Sequence, residues 1–168
     1  MKQPSHVIVF GMIVGSLVAT LLTGAAGQAQ SAHVMATLNS SQWGPAPPML
    51  PAGAQIAVLS GDPTRTGSYV VRLKFPANYT IPAHSHPTNE NVVVVSGDLL
   101  VGMGDTVNKS GAAGLGLGGF GLLPANMNHF AFTKQETIVT LFGQGPVEFK
   151  YVNPADDPRH GPGAKGAR

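Results

Sequence analysis

The stretch NYTIPAHSHPTNENVVVVSG, residues 78–97, decides how this chain is read. It sets His84 and His86 one residue apart and places Glu90 four residues beyond His86. Successive side chains of an extended segment point to opposite faces, so residues two apart share a face. His84 and His86 are therefore expected to project into one interior, with Ser85 turned away. Pro87 cannot continue a ladder and the residues after it favour a turn, so the chain should reverse there. Glu90 then opens the valine-rich run ENVVVVS, which suits a strand, and its carboxylate can return to the same cavity.

A fourth polar candidate, His129, stands on a later strand in PANMNHF, while His33 and His160 lie in the two flanks and His160 is expected to be solvated and idle. Three imidazoles and one carboxylate, His84, His86, His129 and Glu90, make a metal-binding set of N3O type. The competing account makes these residues part of a surface turn or a hydrogen-bonded core pair. The joint spacing weighs against it, since HxHxxxE arises by accident in on the order of one chain in several hundred.

The 168 residues, 43% of them hydrophobic, allow one compact domain. Only 11% are charged, and the ten Lys+Arg and eight Asp+Glu are scattered singly. No basic stripe exists to follow a phosphate backbone, so nucleic acid is excluded as an expected partner. The absence of cysteine excludes disulfides, thiolate ligands and cysteine nucleophiles together. Metal chemistry must rest on histidine and carboxylate.

Short runs of Val, Ile, Leu and Phe bounded by Gly, Pro, Asn and Asp predict an all-β sandwich or barrel. Strands are expected at 56–59, 68–75, 91–96, 99–103, 120–123, 129–133, 137–142 and 147–152. The glycine run GLGLGGFG, residues 114–121, contains the GxGxxG pattern of dinucleotide-binding turns. That pattern works only between a strand and a helix, and here Pro124 and another β-like run follow, so a glycine loop is the expectation.

Lys2, an apolar run from Val7 to Ala26, and Gly27 and Ala29 at cleavage spacing give residues 1–29 the layout of a signal peptide. An uncleaved anchor is the rival, since about twenty apolar residues could span a bilayer. The glycines within the run favour cleavage, leaving no stable membrane span and an exported, periplasmic or secreted protein. Residues 30–54 are Pro-rich and read as an extended arm, with Trp43 anchoring it to the domain or to a second subunit. The barrel is expected over 55–152. Residues 153–168 carry Pro, Gly and charge without apolar periodicity and are expected to form a flexible tail.

The same residues resemble the cupin superfamily. Its first motif, G(x)5HxH(x)3-4E(x)6G, is matched by His84, His86, Glu90 and Gly97, with Asn78 in place of the leading glycine. Its second motif, G(x)5PxG(x)2H(x)3N, is similar to GGFGLLPANMNHFAFT, with Gly118, Pro124 and His129 matching. Asn126 replaces a glycine and Thr133 replaces the asparagine; asparagine tolerates the positive φ that such turn glycines adopt. The resemblance implies a double-stranded β-helix, or jelly-roll barrel, with the metal inside and homodimers formed through the outer sheet and the N-terminal arm.

Four protein ligands leave two octahedral positions open, as catalysis requires. The set suits a divalent transition metal, with Fe(II) or Mn(II) favoured and Ni, Cu or Zn as alternatives. The remaining acids fall in turns, on a late strand or in the tail, so a reaction that depends on a dedicated proton-transfer group is disfavoured. Dioxygenase-type oxidation of a small oxygen-bearing molecule is the expected activity, with Val92, Val94, Met103, Ala131 and Phe142 as candidate walls. The alternative is a non-enzymatic module that binds or senses a metal or small ligand.

Overall fold

The computed structural model describes residues 33–160. The expected leader, the start of the arm and residues 161–168 lie outside that range. Among the described residues eleven strands follow in order: β1 (Gly44–Pro45), β2 (Gln55–Ser60), β3 (Gly67–Phe75), β4 (Thr80–Ser85), β5 (Glu90–Ser96), β6 (Leu99–Met103), β7 (Ala113–Leu115), β8 (Phe120–Leu123), β9 (His129–Thr133), β10 (Thr137–Gly145) and β11 (Lys150–Tyr151). They form two antiparallel sheets, ordered β1-β2-β3-β10-β5-β8 and β11-β4-β9-β6-β7. Among the described residues, no helix is long and apolar enough to cross a membrane.

Alternation in β3 shows how sequence selects this architecture. Tyr69, Val71, Leu73 and Phe75 are buried while Val70, Arg72 and Lys74 between them are only half-buried. One face of the strand closes the core and the other stays near water. β10 pairs with β3 along its whole length and with β5 on its other side. Val92, Val94 and Val139 from these central strands are each about 1% exposed. Burying each such side chain contributes roughly 1.5–3 kcal/mol before chain entropy is set against it.

Two glycines are dictated by close approach. A Cβ on Gly97, where φ is +75°, would stand 2.4 Å from the Glu136 carbonyl, and one on Gly102 would stand 2.1 Å from the Phe130 ring. Asn78 and Asn126 have φ of 59° and 60°, as expected for asparagines in glycine positions. Thr133 closes the first of these turns, its hydroxyl donating to the Pro76 carbonyl at 2.7 Å and accepting from the Tyr79 amide.

The arm is held by the outward side chains of β3. Arg72 donates to the Thr37 carbonyl at 2.7 Å and to the Ser41 hydroxyl at 2.8 Å, and the Lys74 ammonium lies 4.5 Å from the Trp43 ring centroid. A segment without charge of its own is thus fastened by cations from the sheet.

Two differences from the sequence reading stand at the C-terminal end. The run read as a strand over 147–152 pairs only at Lys150 and Tyr151. The reason is that its main-chain groups are claimed singly: the Val147 amide donates to Pro63 O, while Glu148 O and Phe149 O accept from His86 and Arg159. The expected loose tail is folded as far as His160. Asp157 is buried, and the Arg159 guanidinium grips its carboxylate and the Phe149 carbonyl together.

Candidate metal centre

β4 and β9 lie side by side and bring His84 into register with His129. An irregularity in that pairing between Ile81 and His84 lets the end of β4 shift its facing. His86 follows just past the strand, Glu90 is the first residue of β5, and Ser85 pairs with Lys150 of β11. His84, His86 and His129 are 2%, 5% and 1% exposed, so burial this deep removes the surface-turn account.

Each imidazole is fixed from behind by the main chain. His84 Nδ1 donates to Pro82 O at 2.7 Å, His86 Nδ1 to Glu148 O at 2.7 Å and His129 Nδ1 to Met127 O at 2.9 Å. A carbonyl can only accept, so Nδ1 carries the proton and Nε2 keeps a free lone pair. One ring nitrogen from each of the three lies within 4.8 Å of the others. Glu90 Oε2 stands 3.6 Å from His86 Nε2 and 3.9 Å from His129 Nε2. The structure thus gathers the three histidines most tightly, with Glu90 beside two of them. His33 and His160 are exposed and lie outside the group.

His86 Nε2 and His129 Nε2 are buried with no hydrogen-bond partner among the described residues. Leaving such an atom unpaired costs roughly 1–3 kcal/mol each, and a divalent cation would satisfy both. Burial holds all three imidazoles below their ordinary proton affinity, and mutual repulsion with His129 and His86 adds to the effect at His84. Burial pushes the Glu90 carboxyl up to about 7, with His129 opposing the rise. Neutral imidazoles are the form a cation requires, and Glu90 would release its proton on joining them as a ligand. The donor set therefore fits a bound metal ion.

The cavity that His84, His129 and Glu90 line is otherwise apolar, with Val92, Val101, Ala131, Leu141 and Phe149 among its walls. Of the five expected walls, Val92 and Ala131 line it and Val94 packs in the adjoining core. Met103 lies at the far end of β6 and is 50% exposed. Phe142 has the outward parity of β10 and lines a surface groove. Phe149 was not foreseen, because an isolated aromatic in an irregular segment carries no periodic signal. Tyr69 and Leu73 were legible in principle from the alternation of β3.

Two antiparallel sheets closed around buried histidines define a cupin barrel. The chain belongs to the family of ChrR cupin-like domains, whose model matches residues 31–148. Among solved structures it is similar to a candidate acetylacetone dioxygenase from Methylibium petroleiphilum, at 19% identity over 78% of this chain and 88% of that one, with a TM-score of 0.59. It is likewise similar to an acetylacetone dioxygenase from Acinetobacter johnsonii, at 18% identity over 73% and 79% of the two chains, TM-score 0.57. A polyketide cyclase from Streptomyces resistomycificus shares 14% identity over 76% and 90%, TM-score 0.59. At these identities the likeness is one of fold. A comparison with curated proteins finds no match.

Proposed function

We propose that this chain is a metal-dependent cupin that oxidises a small oxygen-bearing organic molecule with dioxygen. The observation that carries the reading is the set of three backbone-anchored imidazoles, two with buried Nε2 atoms that lack a partner among the described residues, of which His84 and His129 line an apolar cavity. His84, His86 and His129 would hold the ion, with Glu90 as the fourth ligand, and Fe(II) or Mn(II) is favoured. A divalent ion held there would supply adjacent open positions for a substrate oxygen and for dioxygen. The apolar walls keep water from the reacting groups, and the Nδ1 contacts hold each ring in one tautomer. A 1,3-diketone heads the substrate list, because two proteins of similar fold are named for acetylacetone oxidation. The test is dioxygen uptake by Fe(II)- or Mn(II)-loaded protein with a panel of 1,3-diketone, catechol, flavonol and oxalate. Uptake with none of them would rule the oxidase reading out.

A second reading is a binding or sensing module. It is favoured by the family to which the chain belongs and by the cavity walls, which among the described residues offer no acid or base besides Glu90 and the histidines themselves. Ligand or metal binding without turnover would select it.

Export and self-association belong to the same proposal. The leader over 1–29 supports passage to the periplasm or beyond, and N-terminal sequencing of the mature protein tests cleavage after Ala29. On the outer face of the six-stranded sheet, Phe120 and Leu122 of β8 are 56% and 50% exposed, with Phe120 opposite Val93. A second copy is the proposed cover. Phe120→Lys with Leu122→Glu should then lower the solution mass to that of a monomer.

A further inference from the structure

The cavity in front of the histidines measures about 30 Å³, room for one or two waters but not for a molecule of several carbons. A second cavity of about 70 Å³ adjoins it. The two share Leu50, Leu73, Glu90, Leu141 and Phe149 as lining residues. Beyond that common wall the second cavity runs between Pro47 and Met49 of the arm, Ile56 and Val71 of the sheet, and Val147. Burial falls along it. Leu73 and Phe149 on the common wall and Val71 beyond it are buried, Met49, Pro63 and Val147 are half-buried, and Thr64 is exposed.

We propose that this passage is the way from solvent to the histidine pocket and the seat of the hydrocarbon part of the ligand. The inference deepens the proposed oxidation and rests on that reading only for the reaction, not for binding. Its roof is built to stay in place. Tyr151 donates from its hydroxyl to Met49 O at 2.7 Å, Tyr79 donates to Pro51 O, and the Ala46 amide donates to Ala54 O at 3.0 Å. The rim is pinned where the Val147 amide donates to Pro63 O at 2.8 Å.

The lining fixes the class of ligand. Among the described residues, no Lys or Arg lines the passage, and the ionisable groups that do are Glu90 at the inner end and Tyr69 on one wall. An anion such as oxalate would lose its hydration against apolar walls and meet a carboxyl, with no cationic side chain in compensation. A neutral molecule with oxygen at one end and a short hydrocarbon body fits instead. The oxygen goes to the Glu90 end and the body lies between Met49, Ile56 and Val147. The arm thereby becomes a specificity-determining part of the site.

The experiment is titration of the full chain, as isolated with its metal, with 2-butanone and with oxalate, followed by calorimetry and ligand-observed NMR. Val147→Phe and Ile56→Phe fill the passage without touching the histidines. Saturable binding of 2-butanone, no binding of oxalate, and a rise of at least tenfold in Kd in a filled variant that keeps its metal content are expected. If Val147→Phe does not fold, Ile56→Phe carries the test, and Val147→Ala, which widens the mouth, should admit the longer 2-pentanone more tightly than the parent does. Unchanged Kd in a folded filled variant, absence of 2-butanone binding, or preferential oxalate binding would each overturn the proposal. Failure of the oxidase reading is separate: it removes dioxygen uptake with 1,3-diketones and leaves the 2-butanone result as it stands.

Discussion

The ring of Phe149 lies flat on that of His84, with centroids 4.6 Å apart and planes 17° apart, and meets His86 edge-on at 4.5 Å. One side chain thus braces two of the three imidazoles. Phe149→Ala should cost ~3–5 kcal/mol, read by urea unfolding of metal-free protein. The holoprotein should also release its ion faster to a chelator. Phe149→Leu, which restores most of the volume, should recover more than half of the stability.

Elemental analysis of purified variants tests the donor set. Single changes to alanine at His84, His86 or His129 should lower metal from one equivalent per chain to below a tenth, and Glu90→Ala should lower it less. His33→Ala and His160→Ala should leave it unchanged. Equal losses in all six would refute the assignment.

The pH dependence of the metal-free protein follows from burial. The Glu90 carboxyl sits near 7 in the fold against 4.5 ordinarily, so between those values the folded state keeps a proton the unfolded chain has released. Stability should therefore fall as pH rises from about 4.5 to about 7, by up to ~3 kcal/mol, and then level off. The histidines act in the opposite sense. Their folded-state proton affinity is lowered from 6.5, so acidification below that value favours unfolding. Glu90→Gln removes the first effect alone. Its stability relative to the parent should rise between pH 4 and pH 8 in chelator-treated samples, and a flat difference would contradict the burial argument.

Asn78 and Asn126 adopt positive φ, where a β-branched residue is strained. Replacing either by glycine should change stability by less than about 0.5 kcal/mol, and replacing it by valine should cost ~1–2 kcal/mol. Thermal unfolding of the four variants separates the two outcomes.

Arg159 joins the folded part of the tail to the segment that carries Phe149. Arg159→Ala should cost about 1 kcal/mol, since the guanidinium is partly exposed. Amide exchange should quicken across residues 147–152 and remain unchanged in β3 and β10.

What the sequence disclosed depended on periodicity. The pair His84 and His86 and the following acid were legible from strand parity and spacing, and the two asparagine turns from the motif glycines that asparagine replaces. β7 and β1 were not, since strands of three and two residues are too short to alternate visibly. Phe142, an expected wall, faces outward from its even position on β10, opposite to Val139 and Leu141. The folded tail was hidden because Asp157 and Arg159 act through one local pairing rather than an apolar pattern. Loops of that kind become predictable only once their anchoring surface is known.

All three imidazoles take their orientation from peptide carbonyls, at Pro82, Glu148 and Met127. Substitutions elsewhere can therefore reshape the chamber without turning a ring. The grip on the cation and the choice of guest are inherited separately, and descendants of this scaffold are free to exchange one while conserving the other.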